Sequence, residues 1–308
     1  MMLQGSHRRW FALSLCLLLF AAGCSSLLFV PDRTLIRTPE NLGLGYHNVV
    51  INTDDHVRLH GWLLEGQHPV KGTIVFLHGN AQNISYHISA VSWLPEKHYN
   101  VFLYDYRGYG LSEGKPTVKN SIDDFKIAVK TVLQILPEEQ RKLIIFGQSL
   151  GGALAIAQTA RFKNEFPIYA LVVDSAFSGF RRIAREKLKI PALTRPFSTL
   201  LAKLITDKPD ILKQIALVHP VPTLFIHGTG DTIISYKHSE LLYHSARQPK
   251  QLWLTPGAKH IGSLAKNNMR QRLLDYMDNA LTIAPPAKTQ HGGKPAIRLS
   301  GSRFTGPP

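Results

Sequence analysis

Cysteine is almost missing from this chain. Cys16 and Cys24 are the whole supply, both within the first 24 residues, so the rest has neither a disulfide framework nor a cysteine-based metal site. A body without disulfides suits a reducing or an oxidising compartment equally well. Acidic residues are scarce too: 21 Asp and Glu face 36 Lys and Arg, a formal +15 over 308 residues. Such an excess attracts anionic lipid headgroups, nucleic acid or acidic polymers. Nucleic acid is the weakest of these partners, because the chain has no zinc-ligand spacing, no RNA-binding aromatic signature and no dense basic arm. There is no internal repeat. An apolar content of 44% permits a sizeable core, and the length fits one large α/β domain with short appendages better than two full domains.

Long apolar runs are confined to the start. His7, Arg8 and Arg9 precede a run from Trp10 to Ala22, the length of a signal-peptide core and too short to cross a bilayer alone. It ends in Ala21-Ala22-Gly23-Cys24. This resembles the lipobox of bacterial lipoproteins, whose cysteine is lipidated and becomes the first residue. Ala21 stands where that pattern prefers Leu. Ser25 rather than Asp follows the cysteine, which implies an outer-membrane lipoprotein if the source is Gram-negative. The competing reading is an uncleaved anchor, since Trp10 to Val30 spans 21 residues. The expected organisation is a signal peptide over 1–23, a tether over 24–44, one folded α/β domain over 45–282 and a flexible basic tail over 283–308. From 284 onward the tail holds five Pro, four Gly, four basic residues and no acidic one, too little apolar surface to order itself.

Between these ends, short β-branched and aromatic runs alternate with longer amphipathic ones, as in a mostly parallel sheet flanked by helices. Tyr46 to Asn52 and Val57 to Glu65 read as an opening antiparallel pair turning at Asp54-Asp55. Thr73 to Leu77, Val101 to Tyr104, Leu143 to Phe146, Ala170 to Val173, Thr223 to Ile226 and Lys250 to Leu254 read as buried strands. Val118 to Leu136, Gly151 to Phe162 and Ser263 to Leu281 carry helical stripes. From Ser178 to Ala216 no strand signal appears. Nine basic residues there face Glu186, Asp207 and Asp210, which reads either as a helical lid with a basic face or as a solvated crossover.

Gly147-Gln148-Ser149-Leu150-Gly151 lies between a predicted strand and a predicted helix, the context that a G-x-S-x-G nucleophile elbow requires. The flanking glycines leave room for a strained turn that pushes Ser149 clear of the chain. A hydroxyl needs a base to take its proton. In this arrangement acid and base follow the serine along the chain. Asp231, in His227-Gly228-Thr229-Gly230-Asp231, is the best acid, with Asp174 as competitor. His260 is the best base, and both follow predicted strand ends. An oxyanion must also meet two backbone N–H groups: that of Leu150, and that of Asn80 or Ala81 in His78-Gly79-Asn80-Ala81. His78 is read as a loop-shaping histidine and Asp105 as a loop holder. His219, His227, His238 and His244 are read as ordinary surface or loop residues.

His78–Ala81, the run Asp105–Gly110 with Ser112, Gly147–Gly151, His227-Gly228 with Asp231, and His260 stand in one order. Together they resemble the small membrane-anchored serine α/β-hydrolases, a branch that includes protein depalmitoylases, over about residues 45–282. The resemblance implies the α/β-hydrolase fold and hydrolysis of an ester, a thioester or, less often, an amide, with no metal or organic cofactor. An idle lipoprotein that binds a lipid or a partner protein is the reading from another class, and it predicts a broken triad or elbow. The sequence has both intact.

The lipobox reading makes a direct forecast. Mass spectrometry of the mature protein should find Cys24 acylated and N-terminal, with Arg8 and Arg9 lost and the formal charge reduced from +15 to +13. An intact chain beginning at Met1 with an unmodified Cys24 would support the uncleaved helix instead.

Overall fold

The computed structural model describes residues 28–188, 195–203, 205 and 207–283. Cys24, the expected signal peptide and the basic tail beyond Ile283 lie outside the described residues. Eight strands form the sheet: β1 (Tyr46–Asn52), β2 (Arg58–Leu64), β3 (Gly72–Leu77), β4 (Tyr99–Tyr104), β5 (Leu143–Gln148), β6 (Ile168–Asp174), β7 (Thr223–Gly228) and β8 (Lys250–Thr255). Their order across the sheet is β1-β2-β4-β3-β5-β6-β7-β8. β2 runs antiparallel to β1 and β4, and every other pair is parallel. This is the α/β-hydrolase fold.

The central strands are buried on both faces, which explains their unbroken apolar runs. Side chains alternate across a strand, so Val75, Leu77 and Ile145 enter one core while Ile74, Phe76, Ile144 and Phe146 enter the other. The Phe76 and Phe146 rings meet edge to face at 5.4 Å, a favoured aromatic geometry. The first core is covered by α2 (Val118–Ile135), α3 (Leu150–Phe162), α6 (Ile211–Leu217) and α7 (Lys237–Ser245). The second is covered by α1 (Ile84–His87) and α8 (Asn267–Thr282). α2 shows why such segments become helices. Its stripe of Ile122, Phe125, Ala128, Val129 and Val132 is buried. Thr117 starts it with a reciprocal capping box: its Oγ1 accepts from Asn120 N at 3.1 Å and Asn120 Oδ1 accepts from Thr117 N at 2.8 Å.

Between β6 and β7 the described residues form α4 (Phe180–Leu188), a 3-10 turn over Arg195–Phe197, α5 (Ser198–Lys203) and then α6, with no strand among them. The segment expected as a lid or crossover over 178–216 does not stand apart throughout, because α6 buries Ile211 and Ile215 in the main core and belongs to the body. Among the described residues no helix is long and apolar enough to cross a membrane.

A second difference lies at the start. Residues 24–44 read as a tether, yet from Leu28 onward the chain is docked. Phe29 is buried, and its ring meets Tyr109 edge to face at 6.4 Å. Pro31 bridges to Gln82, and Gly110 N donates to Asp32 O at 2.9 Å. Apart from Phe29, the contacts are polar: backbone groups meet Asn80, Asn83 and Ser85, which apolar patterning does not register.

The loop after β4 is fixed from two sides. Arg107 reaches Asp55 at 2.6 Å and Asp124 on α2 at 2.7 Å, tying the β1–β2 turn to a helix through a planar fork suited to carboxylates. Asp105 Oδ1 accepts from Ile84 N at 2.9 Å, so Asp105 does hold the loop, while its Oδ2 has no protein partner. Burial pushes its carboxyl up to about 8, and the Ile84 N–H offsets this only in part. A carboxyl raised above its unfolded value of about 4 favours folding below that value, and the contribution is lost as pH rises through about 8. Asp105→Asn keeps the acceptor and removes the titration. Its Tm relative to the wild type should therefore rise from pH 5 to about pH 8 and level off above it. A Tm difference independent of pH over that range would show that Asp105 does not titrate there.

Candidate active site

The nucleophile turn follows from close packing at two glycines. A Cβ on Gly147 would lie 2.3 Å from Gly151 O, and one on Gly151 would lie 2.1 Å from Leu77 O. Neither position accepts a side chain. Between them Ser149 adopts φ 56° and ψ −117°, a strained conformation for an L-residue. Ser149 N donates to Asp174 O at 2.9 Å, pinning the turn to the end of β6. The serine then stands at the start of α3, where the helix dipole favours negative charge.

Beyond β7, Asp231 receives four hydrogen bonds. Oδ1 accepts from Ile233 N at 2.8 Å and Ile234 N at 2.9 Å. Oδ2 accepts from His260 Nδ1 at 2.7 Å and His227 Nε2 at 3.1 Å. Burial alone would raise this carboxyl. The bonds from His227, His260 and Ile234 N outweigh it and hold Asp231 well below the ordinary carboxylate range. His260 follows β8, and the next residue, Ile261, is held at φ 51° with its N donating to Ser175 Oγ at 3.1 Å.

Asp174, the competing acid, is placed otherwise. It is fully buried and accepts from Gln148 Nε2 and Ser175 Oγ, each at 2.9 Å. Burial raises its carboxyl, opposed by those two bonds. It supports the elbow and, through Ser175, the residue after His260, and it makes no hydrogen bond to His260 itself.

Two of the histidines read as ordinary are buried and engaged. Ile234 O, 2.9 Å from His227 Nε2, can only accept, so that nitrogen carries the proton and Nδ1 accepts from Ser239 Oγ at 2.7 Å. His227 thereby clamps the acid loop. His238 joins Ser178 to Glu186: Nδ1 accepts from Ser178 N at 3.1 Å and Nε2 lies 3.0 Å from Glu186. With Lys187 Nζ donating to Ile233 O at 2.6 Å, this latches α4 to α7 and to the acid loop. His219 and His244 are exposed, as expected. The four-residue spacing from His227 to Asp231 was the available signal for the clamp.

The loop after β3 approaches the elbow directly. A Cβ on Gly79 would sit 3.5 Å from Ser149 Cβ and 3.1 Å from His87 Cε1. His87 had no signal in the sequence; its Nε2 lies 3.2 Å from Ala81 O, and burial lowers its pKa. His78 shapes the loop, stacked on Tyr106 at 4.2 Å with Nδ1 2.8 Å from Gly79 O. Of the two expected donors here, Ala81 N is already committed to Asn80 Oδ1 at 2.9 Å. The N–H groups of Asn80 and Leu150 have no acceptor among the described residues. Within the segment between β6 and β7 lies a cleft of about 410 Å³, lined in part by Ser178, Arg181, Arg182, Arg185 and Lys203. No cluster of His, Cys, Asp and Glu suited to a metal occurs among the described residues.

Residues 68–209 match a sequence family described as serine aminopeptidase, S33. The chain is 33% identical to Escherichia coli YfhR over 278 residues, covering 88% of this chain and 93% of that protein. It is 30% identical to human alpha/beta hydrolase domain-containing protein 17B over 215 residues, 68% of each chain. In fold it is similar to the Pyrococcus furiosus esterase Pf2001, with a TM-score of 0.66 at 24% identity, covering 84% of this chain and 98% of that one. Likeness of this extent to YfhR, on this fold, places the chain in the serine α/β-hydrolase family.

Proposed function

We propose that the protein is a membrane-tethered hydrolase of carboxylic esters working through an acyl-enzyme, with Ser149, His260 and Asp231 as its triad. The observation that carries this reading is the His260–Asp231 bond of 2.7 Å after β8 and β7, with a strained Ser149 after β5 at the same edge of the sheet. Asp231 holds the His260 Nδ1–H, which leaves Nε2 as the base. Ser149 Oγ attacks the acyl carbon and its proton passes to His260 Nε2. The N–H groups of Asn80 and Leu150 stabilise the oxyanion. His260 then protonates the leaving alkoxide, and water repeats the sequence to release the acid.

Localisation to the cell envelope through Cys24, in the outer membrane for a Gram-negative source, belongs to the same proposal. The basic lid, with Arg181, Arg182 and Arg185 exposed, supports contact with anionic headgroups, each basic group contributing on the order of 1 kcal/mol close to such a surface. Lipid esters and acyl thioesters are then substrates at hand. The match to a family described as serine aminopeptidase favours a second reading, peptide-bond cleavage. Esters of rising chain length, assayed beside thioesters and peptides, distinguish the three.

Ser149→Ala should leave the fold intact and abolish labelling by a fluorophosphonate probe. A variant that still labels like the wild type would place the nucleophile elsewhere.

The acid assignment has its own comparison. Asp231→Asn should lower kcat by about ten-thousandfold, the loss expected when the carboxylate that orients the base is removed. Asp174→Asn should cost far less. If the Asp174 variant loses more kcat than the Asp231 variant, Asp231 is not the acid.

A further inference from the structure

We infer that residues Leu28–Ile36 are a working part of the active site, a strap that positions the oxyanion loop through the side chain of Asn80. This rests on the acyl-transfer reading above, in which the N–H of Asn80 faces the oxyanion.

Both polar atoms of the Asn80 side chain are engaged. Its Oδ1 accepts from Val30 N at 2.9 Å, Ala81 N at 2.9 Å and Tyr109 Oη at 2.8 Å. Its Nδ2 donates to Leu28 O at 2.6 Å. Val30 N also donates to Tyr109 Oη at 3.0 Å, so strap, loop and Tyr109 form one closed triangle of bonds. Farther along, Asn83 Nδ2 donates to Asp32 O at 2.9 Å and Thr34 O at 2.8 Å, and Ile36 N donates to Ser85 Oγ at 3.0 Å.

The loop needs this holding. Ala81 and Gln82 stand at φ 62° and 63° in succession, a left-handed conformation that residues with a Cβ enter only when their surroundings impose it. The strap provides part of those surroundings. One residue thus carries both the N–H assigned to the oxyanion and the side chain that the strap clamps. A shift of the strap moves the donor. Because oxyanion donors act only when already aimed, the effect falls on the transition state more than on substrate binding. The strap residues are positioning residues, since none is placed against the reacting atoms.

The test uses the full chain and two variants that leave Asn80 untouched. Val30→Pro deletes the donated N–H at an exposed position, and Tyr109→Phe deletes the hydroxyl while keeping the ring. Val30→Ile, which keeps the N–H, is the control. With a small soluble ester and active sites counted by fluorophosphonate titration, both variants should lower kcat at least about fivefold with KM changed by less than about twofold. Affinity for an alkyl boronic acid, which forms a tetrahedral anion on the serine, should fall by the same factor as kcat/KM. Val30→Ile should match the wild type. A strap of merely structural value would lower Tm and the titrated fraction while kcat per site and boronate affinity stayed at wild-type levels, and that result overturns the inference. Amide exchange at Ala81 supplies an arm independent of turnover: it should accelerate in Val30→Pro, and unchanged exchange would equally refute the coupling. A wild type that hydrolyses nothing and takes no probe would instead sink the acyl-transfer reading, with strap and loop still judged by exchange.

Discussion

Helix α3 meets the end of β3 so closely at Gly151 that no side chain fits between them; a Cβ there would lie 2.1 Å from Leu77 O and 2.5 Å from His78 O. The other placements in the site depend on that contact. It sets the start of α3 against the loop after β3, where a Cβ on Gly79 would lie 3.5 Å from Ser149 Cβ. Beside the same contact Ser149 takes its strained turn. The parallel register of β3, β5 and β6 then delivers three loops to one edge of the sheet. Packing of backbone on backbone thus comes first, and the chemistry is arranged on it.

Charge is managed by a second constraint. Buried carboxylates are costly unless hydrogen-bonded, and the two near the elbow differ for that reason. Asp231 has four donors and is held in its charged form. Asp174 is fully buried and its carboxyl is raised in spite of its two donors. Both follow strands on the same edge. The donors around each, rather than its place in the chain, set what it can do: one orients an imidazole, while the other braces the turn.

The fold was largely legible in the sequence because it rests on patterns of short range. β1 runs over Tyr46–Asn52 as the alternation predicts, and α2 ends one residue before the expected Leu136. The motif order singled out Ser149, Asp231 and His260, of which His260 and Asp231 are hydrogen-bonded at 2.7 Å. What escaped depends on polar contacts between distant segments. Nothing in the local sequence of Leu28–Ile36 states that Asn80 lies across from it. His227 and His238 look like any loop histidine until the acceptors around them are known, and His87 enters the site only through the fold of its short helix. α6 read as part of the lid because its neighbours in sequence are basic, although Ile211 and Ile215 pack into the main core.

The docked start of the chain has a geometric consequence. Leu28, whose carbonyl accepts from Asn80, is four residues after Cys24, and four residues of fully extended chain reach no more than about 14 Å. An attachment at Cys24 would therefore act as a short leash on the oxyanion loop itself rather than on some remote face of the domain. A domain on a long linker samples a volume and meets surface-bound molecules at random angles. On a leash this short it samples a thin shell, and the effective concentration of acyl groups in that shell is set by the linker's reach more than by bulk diffusion. Choice among substrates would then come partly from where the molecule is fastened, with the pocket discriminating only among what that shell contains.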